Sequence, residues 1–130
     1  MSVVLKNSAL CAALLLTPLF AAGRDRELRE VLLNLLENAR LARARRITLT
    51  VHATPGGGAL LTVADDGDGI PPHLLDRIFE PHFSTRTSGS GLGLAISRRL
   101  IDGWGGAIDA ESVPGQGSVL RVRLAPSSSP

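Results

Sequence analysis

Asn34 and Asn38 are four residues apart, so on a helix they stack on one face, at the border of an apolar stripe. A neutral amide oxygen is a hard ligand that suits Mg²⁺, an ion that keeps several waters and takes substrate phosphates for the rest of its octahedron. Ordinary surface polar residues on a long helix look the same. The run Asp65-Asp-Gly-Asp-Gly-Ile70 follows a strand directly, and its two glycines permit tight backbone angles and close approach of a ligand. An aspartate there can accept from an exocyclic amine; a plain acidic turn is the competing reading. A calcium loop is a further one, but the run lacks the spaced ligands and terminal glutamate of the twelve-residue pattern. Gly89-Ser-Gly-Leu-Gly-Leu94 opens a helix, which aims free backbone N–H groups and the positive end of the helix dipole at one spot, as in a phosphate cradle. It is not a Walker loop, since no Gly-Lys-Ser/Thr follows. No strand leads into it, which also sets it apart from a dinucleotide fingerprint. A flexible hinge would explain it nearly as well.

These residues need elements to hold them. Over 24–44, Leu28, Val31, Leu32, Leu35, Leu36, Ala39 and Ala42 recur at spacings of three and four, which predicts one amphipathic helix. Segments 47–53 and 59–64 alternate and are rich in β-branched residues. Thr54-Pro-Gly-Gly-Gly58 between them can hardly continue a strand, so they predict a hairpin. Pro71 and Pro72 suit the first turn of a short helix reaching about residue 78. Segment 79–90 has no period. A helical pattern resumes over 91–101 and ends in Asp102-Gly-Trp-Gly-Gly106, and strands at 107–111 and 118–124 follow. The expected fold is an α/β sandwich: a mixed, largely antiparallel sheet with helices packed on one face.

Composition sets the outer limits. With 130 residues, 44% of them hydrophobic and 20% charged, the chain holds one ordinary core. Lys and Arg (14) nearly balance Asp and Glu (12) for a net charge of +2, with no long cationic run, so nucleic acid is not the expected partner. Aromatic residues make up 3%, too few for a base-stacking platform. A single cysteine, Cys11, leaves no disulfide partner within the chain and no cysteine-rich zinc site, which fits a reducing compartment. Residues 1–23 admit three readings: a signal-like leader with a basic start and an apolar run, a divergent first strand, or a truncation artefact. The main domain is expected over 24–125, with a linker-like tail at 126–130.

In order along the chain, Asn34-Leu-Leu-Glu-Asn-Ala39, Asp65-Asp-Gly-Asp-Gly-Ile70, Ile78-Phe-Glu-Pro-His-Phe-Ser-Thr85, Gly89-Ser-Gly-Leu-Gly-Leu94 and Gly106 with Ser112-Val-Pro-Gly-Gln-Gly-Ser118 resemble five boxes of sensor histidine kinases. These are the asparagine, first glycine, phenylalanine, second glycine and last glycine boxes. The resemblance covers about residues 24–124. It implies the ATP-binding fold shared with type II topoisomerases, a mismatch-repair ATPase and a heat-shock chaperone.

By that resemblance ATP and Mg²⁺ are the cofactors. Asn38 would ligate Mg²⁺, with Asn34 supporting it, and Asp65 would bond the adenine amino group. Gly67, Gly69 and Ile70 would line the nucleotide. Residues 79–90, with Phe79, Thr85 and Arg86 (lysine in many members), would form a lid over the phosphates, hinged by Gly89, Gly91 and Gly93, whose N–H groups face the nucleotide, with Ser90, Leu92 and Leu94 of the same run also nucleotide-binding. Ser118 would stand near the adenine, where threonine is common. Arg43 is a candidate phosphate contact or a solvated helix arginine. The implied activity is transfer of the γ-phosphoryl group to a histidine, which positioning and charge neutralisation accomplish. His52, His73 and His82 lack a helical acceptor context. The resemblance therefore points to a separate dimerisation domain bearing the acceptor histidine, a downstream response regulator, a cytoplasmic location and a membrane link only through other segments. A silent nucleotide-binding fragment and an anti-sigma-type serine kinase are the alternatives.

Overall fold

The computed structural model describes residues 2–6, 25–56, 58–81 and 93–125. The elements are β1 (Ser2–Lys6), α1 (Asp25–Leu41), β2 (Arg46–Ala53), β3 (Ala59–Asp65), α2 (Pro72–Leu75), α3 (Gly93–Gly103), β4 (Ala107–Val113) and β5 (Gly117–Leu124). They build one sheet in the order β1-β2-β3-β5-β4. The β1–β2 pair is parallel and the other three pairs are antiparallel, so the sheet is mixed and largely antiparallel as expected.

Strand alternation decides which face is covered. Ile47 and Val51 on β2, Ala59, Leu61 and Val63 on β3, and Leu120, Val122 and Leu124 on β5 are buried and share one face. Against it lie Leu28, Val31, Leu35 and Ala39 of α1 and Ile101 of α3, all in one cluster. Leu35 is 0% exposed, a burial that contributes about 2 to 3 kcal/mol relative to an exposed leucine. Among the described residues α1 packs along α3, and Trp104 Nε1 donates to Glu27 Oε2 at 2.5 Å, tying the end of α3 to the start of α1.

On three strands the apolar alternation stops in a polar residue. Asp65 continues the Leu61–Val63 parity of β3, Ser118 continues that of Leu120 and Val122 on β5, and Ser112 lies opposite Ser118 on β4. With Ile47 opposite Asp65, they form one cross-strand row at an end of the covered face. The core thus gives way to a carboxylate and two hydroxyls along one line.

Helix α1 ends three residues earlier than its apolar pattern predicts. Arg43 N–H donates to Arg40 O at 3.0 Å and Ala44 N–H to Ala39 O at 3.2 Å, with Arg43 at φ 61°. That is the Schellman closure, in which a left-handed residue lets the last carbonyls be satisfied; glycine usually fills it. Arginine in that position left no sequence signal for the stop.

Candidate functional site

The loop from Asp65 to Ile70 is strapped down on two sides. Toward α1, Asp66 Oδ1 accepts from the N–H groups of Arg45 at 2.7 Å and Arg46 at 2.9 Å. Asp68 N–H donates to Ala42 O at 2.8 Å, and its carboxylate meets the Arg43 guanidinium through two contacts of 3.1 Å. Toward the β4–β5 turn, Asp68 O accepts Gly115 N–H at 2.7 Å. The N–H bonds from Arg46 and then Arg45 hold the Asp66 carboxyl below the usual carboxylate range, because they stabilise its charged form.

Close approach explains the two glycines. A Cβ on Gly67 would run into the backbone of Ala42, and Gly69, at φ 75°, passes over the backbone of Val113 so closely that a side chain there would collide. Asp65 Oδ1 accepts Gly67 N–H at 2.8 Å, which fixes the carboxylate at the head of the loop. Ile70 is buried, and its N–H donates to Ser112 Oγ at 2.6 Å.

The second half of the site lies between α1 and α3. Asn34 Nδ2 donates to Gly93 O at 3.1 Å and to Ser97 Oγ at 3.2 Å, while Ser97 Oγ donates to Gly93 O at 2.9 Å. Asn34 therefore pins the first turn of α3, and Ser97, 0% exposed, is the buried relay. Asn38, one turn further on and half-buried, offers its backbone oxygen to Ala42 N–H at 3.1 Å. Phe79 is half-buried below α3, where the Arg98 guanidinium carbon lies 5.7 Å from its ring centre. Leu94 packs against the core.

The structure thus brings Asp65, Gly67, Gly69, Ile70 and Ser118 together at one end of the sheet, and joins Asn34 to Gly93. Arg43 is exposed and paired with Asp68. Thr85, Arg86, Gly89, Ser90, Gly91 and Leu92 lie outside the described residues, as does His82. His52 on β2 and His73 on α2 are exposed. The sequence reading gives no individual role to Asp66, Asp68, Ser97 or Ser112. Ser97 falls at helical spacing four residues after Gly93, and Ser112 faces Ser118 across a hairpin; either relation could have flagged them. Among the described residues no group of three or more His, Cys, Asp or Glu could hold a metal ion, and no helix is long and apolar enough to cross a membrane.

A sheet covered on one face by helices, with a glycine loop strapped down at the end of a polar row, defines an α/β sandwich domain, and comparison with known proteins gives the family. Residues 23–128 match the model for histidine kinase-, DNA gyrase B- and HSP90-like ATPases. The sensor histidine kinase ZraS of Salmonella typhi is 45% identical over 105 residues, which cover 79% of this chain and 22% of that protein. A mycobacterial sensor histidine kinase, MprB, superposes with a TM-score of 0.69 at 30% identity, covering 78% of this chain and 72% of that one. Full-length ShkA, solved in complex with AMPPNP, gives 0.67 at 39% identity, covering 75% of this chain and 21% of that one. The chain belongs to the histidine kinase-, DNA gyrase B- and HSP90-like ATPase family, and within it to the ATP-binding catalytic domains of sensor histidine kinases. It spans about a fifth of the length of ZraS.

Proposed function

We propose that this domain binds Mg²⁺-ATP at the end of the Asp65–Ser118–Ser112 row and transfers the γ-phosphoryl group to a histidine carried by a separate dimerisation domain. The observation that carries the reading is the row itself, a carboxylate and two hydroxyls set by strand register where the apolar face ends, beside a loop whose glycines admit close contact. The residues present fit the nucleotide. An ionised carboxylate accepts from an exocyclic amine, and the Asp65 carboxylate is already oriented by Gly67 N–H. The Asn38 amide oxygen is a hard, neutral donor of the kind that suits Mg²⁺ and would be the residue to hold it. Asn34 acts beside it by fixing where α3 begins.

Bound Mg²⁺-ATP supplies the electrophilic γ-phosphoryl group. This chain's own work is positioning: Asp65 and Ser118 set the base, Gly67, Gly69 and Ile70 lie along the nucleotide, and Asn38 sets the metal. Phe79, Gly93 and Leu94, together with Thr85, Arg86, Gly89, Ser90, Gly91 and Leu92, which lie outside the described residues, are the proposed nucleotide contacts on the phosphate side. Arg43 contacts phosphate only if it leaves Asp68, and the domain proposed over 24–125 carries β1 (Ser2–Lys6) as an edge strand of its sheet. The remaining partner is a response regulator, and the setting is cytoplasmic.

The test uses γ-labelled ATP, Mg²⁺ and an acceptor domain from a related kinase. The expected product is labelled acceptor whose label is lost in acid and kept in alkali, and chelation of Mg²⁺ abolishes it. Normal ATP binding with no labelled acceptor would overturn the transfer, and acid-stable label would place the phosphate on a hydroxyl.

A further inference from the structure

Ser112 ends the polar row, and its hydroxyl joins three segments. Its Oγ accepts Ile70 N–H at 2.6 Å, lies 2.9 Å from Gly117 O, and lies 2.9 Å from Ser118 Oγ. A hydroxyl has one hydrogen and two acceptor lone pairs. Ile70 occupies one lone pair, so the hydrogen must go either to Gly117 O or to Ser118.

The two choices are not equivalent. If the hydrogen goes to Ser118, two acceptors, Ser112 Oγ and Gly117 O, face each other at 2.9 Å with no hydrogen between them. If it goes to Gly117 O, Ser118 donates into the second lone pair of Ser112 and all three contacts are hydrogen bonds. Gly117 is buried and Ser118 is 4% exposed, so a lost bond here is not replaced by water. The second arrangement is the satisfied one. It commits the only hydrogen of Ser118 to Ser112 and leaves Ser118 with lone pairs alone toward its other neighbour in the row, Asp65. An ionised carboxylate is likewise acceptor-only.

We propose that Ser112 is a positioning residue that makes the base-contacting row acceptor-only, so that the site selects a 6-amino purine over a 6-oxo purine. This rests on the reading that Asp65 and Ser118 contact the base. An amine gives hydrogens to such a row, whereas a 6-oxo group presents lone pairs to lone pairs. Removing the Ser112 oxygen frees the Ser118 hydrogen, which rotates to donate to the 6-oxo group.

The experiment titrates the full chain with ATP and with inosine triphosphate, for wild type, Ser112→Ala, Ser112→Thr and Ser118→Ala, with circular dichroism to confirm folding. Wild type prefers ATP. In Ser112→Ala the ATP-over-ITP ratio falls by roughly five- to tenfold, the scale of one hydrogen bond, and Ser112→Thr restores it. A merely structural role would weaken both nucleotides alike, and that result in folded Ser112→Ala overturns the proposal. Should Ser112→Ala not fold, Ser118→Ala decides: a reduced ratio supports the proposal and a wild-type ratio overturns it. If wild type binds no ATP, or Asp65→Asn binds it as tightly as wild type, the base-site reading itself fails and the proposal falls with it.

Discussion

Helices α1 and α3 close with the same hydrogen bonds but with different residues in the left-handed position. At the end of α3, Gly105 has φ 77°, its N–H donates to Asp102 O at 3.0 Å, and Gly106 N–H donates to Ile101 O at 3.0 Å. A Cβ on Gly105 would meet nothing within 4 Å. That left-handed residue is local: a glycine supplies it, in open space. At the end of α1 the same place is held by Arg43, whose conformation L-residues rarely adopt. Asp66 and Asp68 of the loop after β3 hold it there by bonding Arg45 N–H, Arg46 N–H and the Arg43 side chain. The end of α1 and the loop that follows β3 are therefore one unit, so the helix bearing Asn34 and Asn38 is registered against the loop headed by Asp65.

The comparison can be broken hardest at Gly67. Gly67→Ala puts a methyl group into the backbone of Ala42 and should cost about 3 kcal/mol, the upper range for overpacking. Denaturant melts should show the loss together with loss of ATP binding, since the two parts can no longer meet. Gly105→Ala should cost only about 1 kcal/mol, for the left-handed conformation alone, and should leave ATP affinity at the wild-type value. If Gly105→Ala weakened ATP binding as much as Gly67→Ala, the distinction between a local and a shared helix end would fail.

Asp66 sharpens the same comparison through pH. Its bonds from Arg46 and Arg45 lower the folded carboxyl below its unfolded value. The stabilisation is therefore fully present above the unfolded value, about pH 4, and is lost as pH falls through the folded one. Because Asp66 is exposed, its effect should be the smallest of the three. Asp66→Asn keeps an acceptor but loses the charge, so its melting temperature should lie slightly below wild type at neutral pH and converge with it in acid. A gap that does not close in acid would mean that the charge is not what the two N–H groups bind.

Much of this architecture is legible in the chain. Alternation places β2, β3 and β5, three-and-four spacing places α1, and glycines mark the end of α3. Where the reading overruns, at 42–44, the cause is a helix stop made by tertiary contact rather than by glycine. The asparagines and the loop glycines are visible as residue types. What each touches is not, because the Asn34–Gly93 contact joins residues 59 apart in sequence. Ser112 was hidden for a related reason: a serine near a hairpin turn carries no signal of its own, and its meaning arises from the register that sets it against Ser118.

The most direct test of the account is a titration with ATP of wild type and Asp65→Asn, with melting curves of both. An asparagine can still accept Gly67 N–H, so the loop should hold and the melting temperature should stay nearly unchanged. The charge facing the exocyclic amine is gone, so affinity should fall by roughly tenfold or more, as for a hydrogen bond to a charged group. Equal ATP affinity in a folded Asp65→Asn chain would contradict the placement of the base at this row.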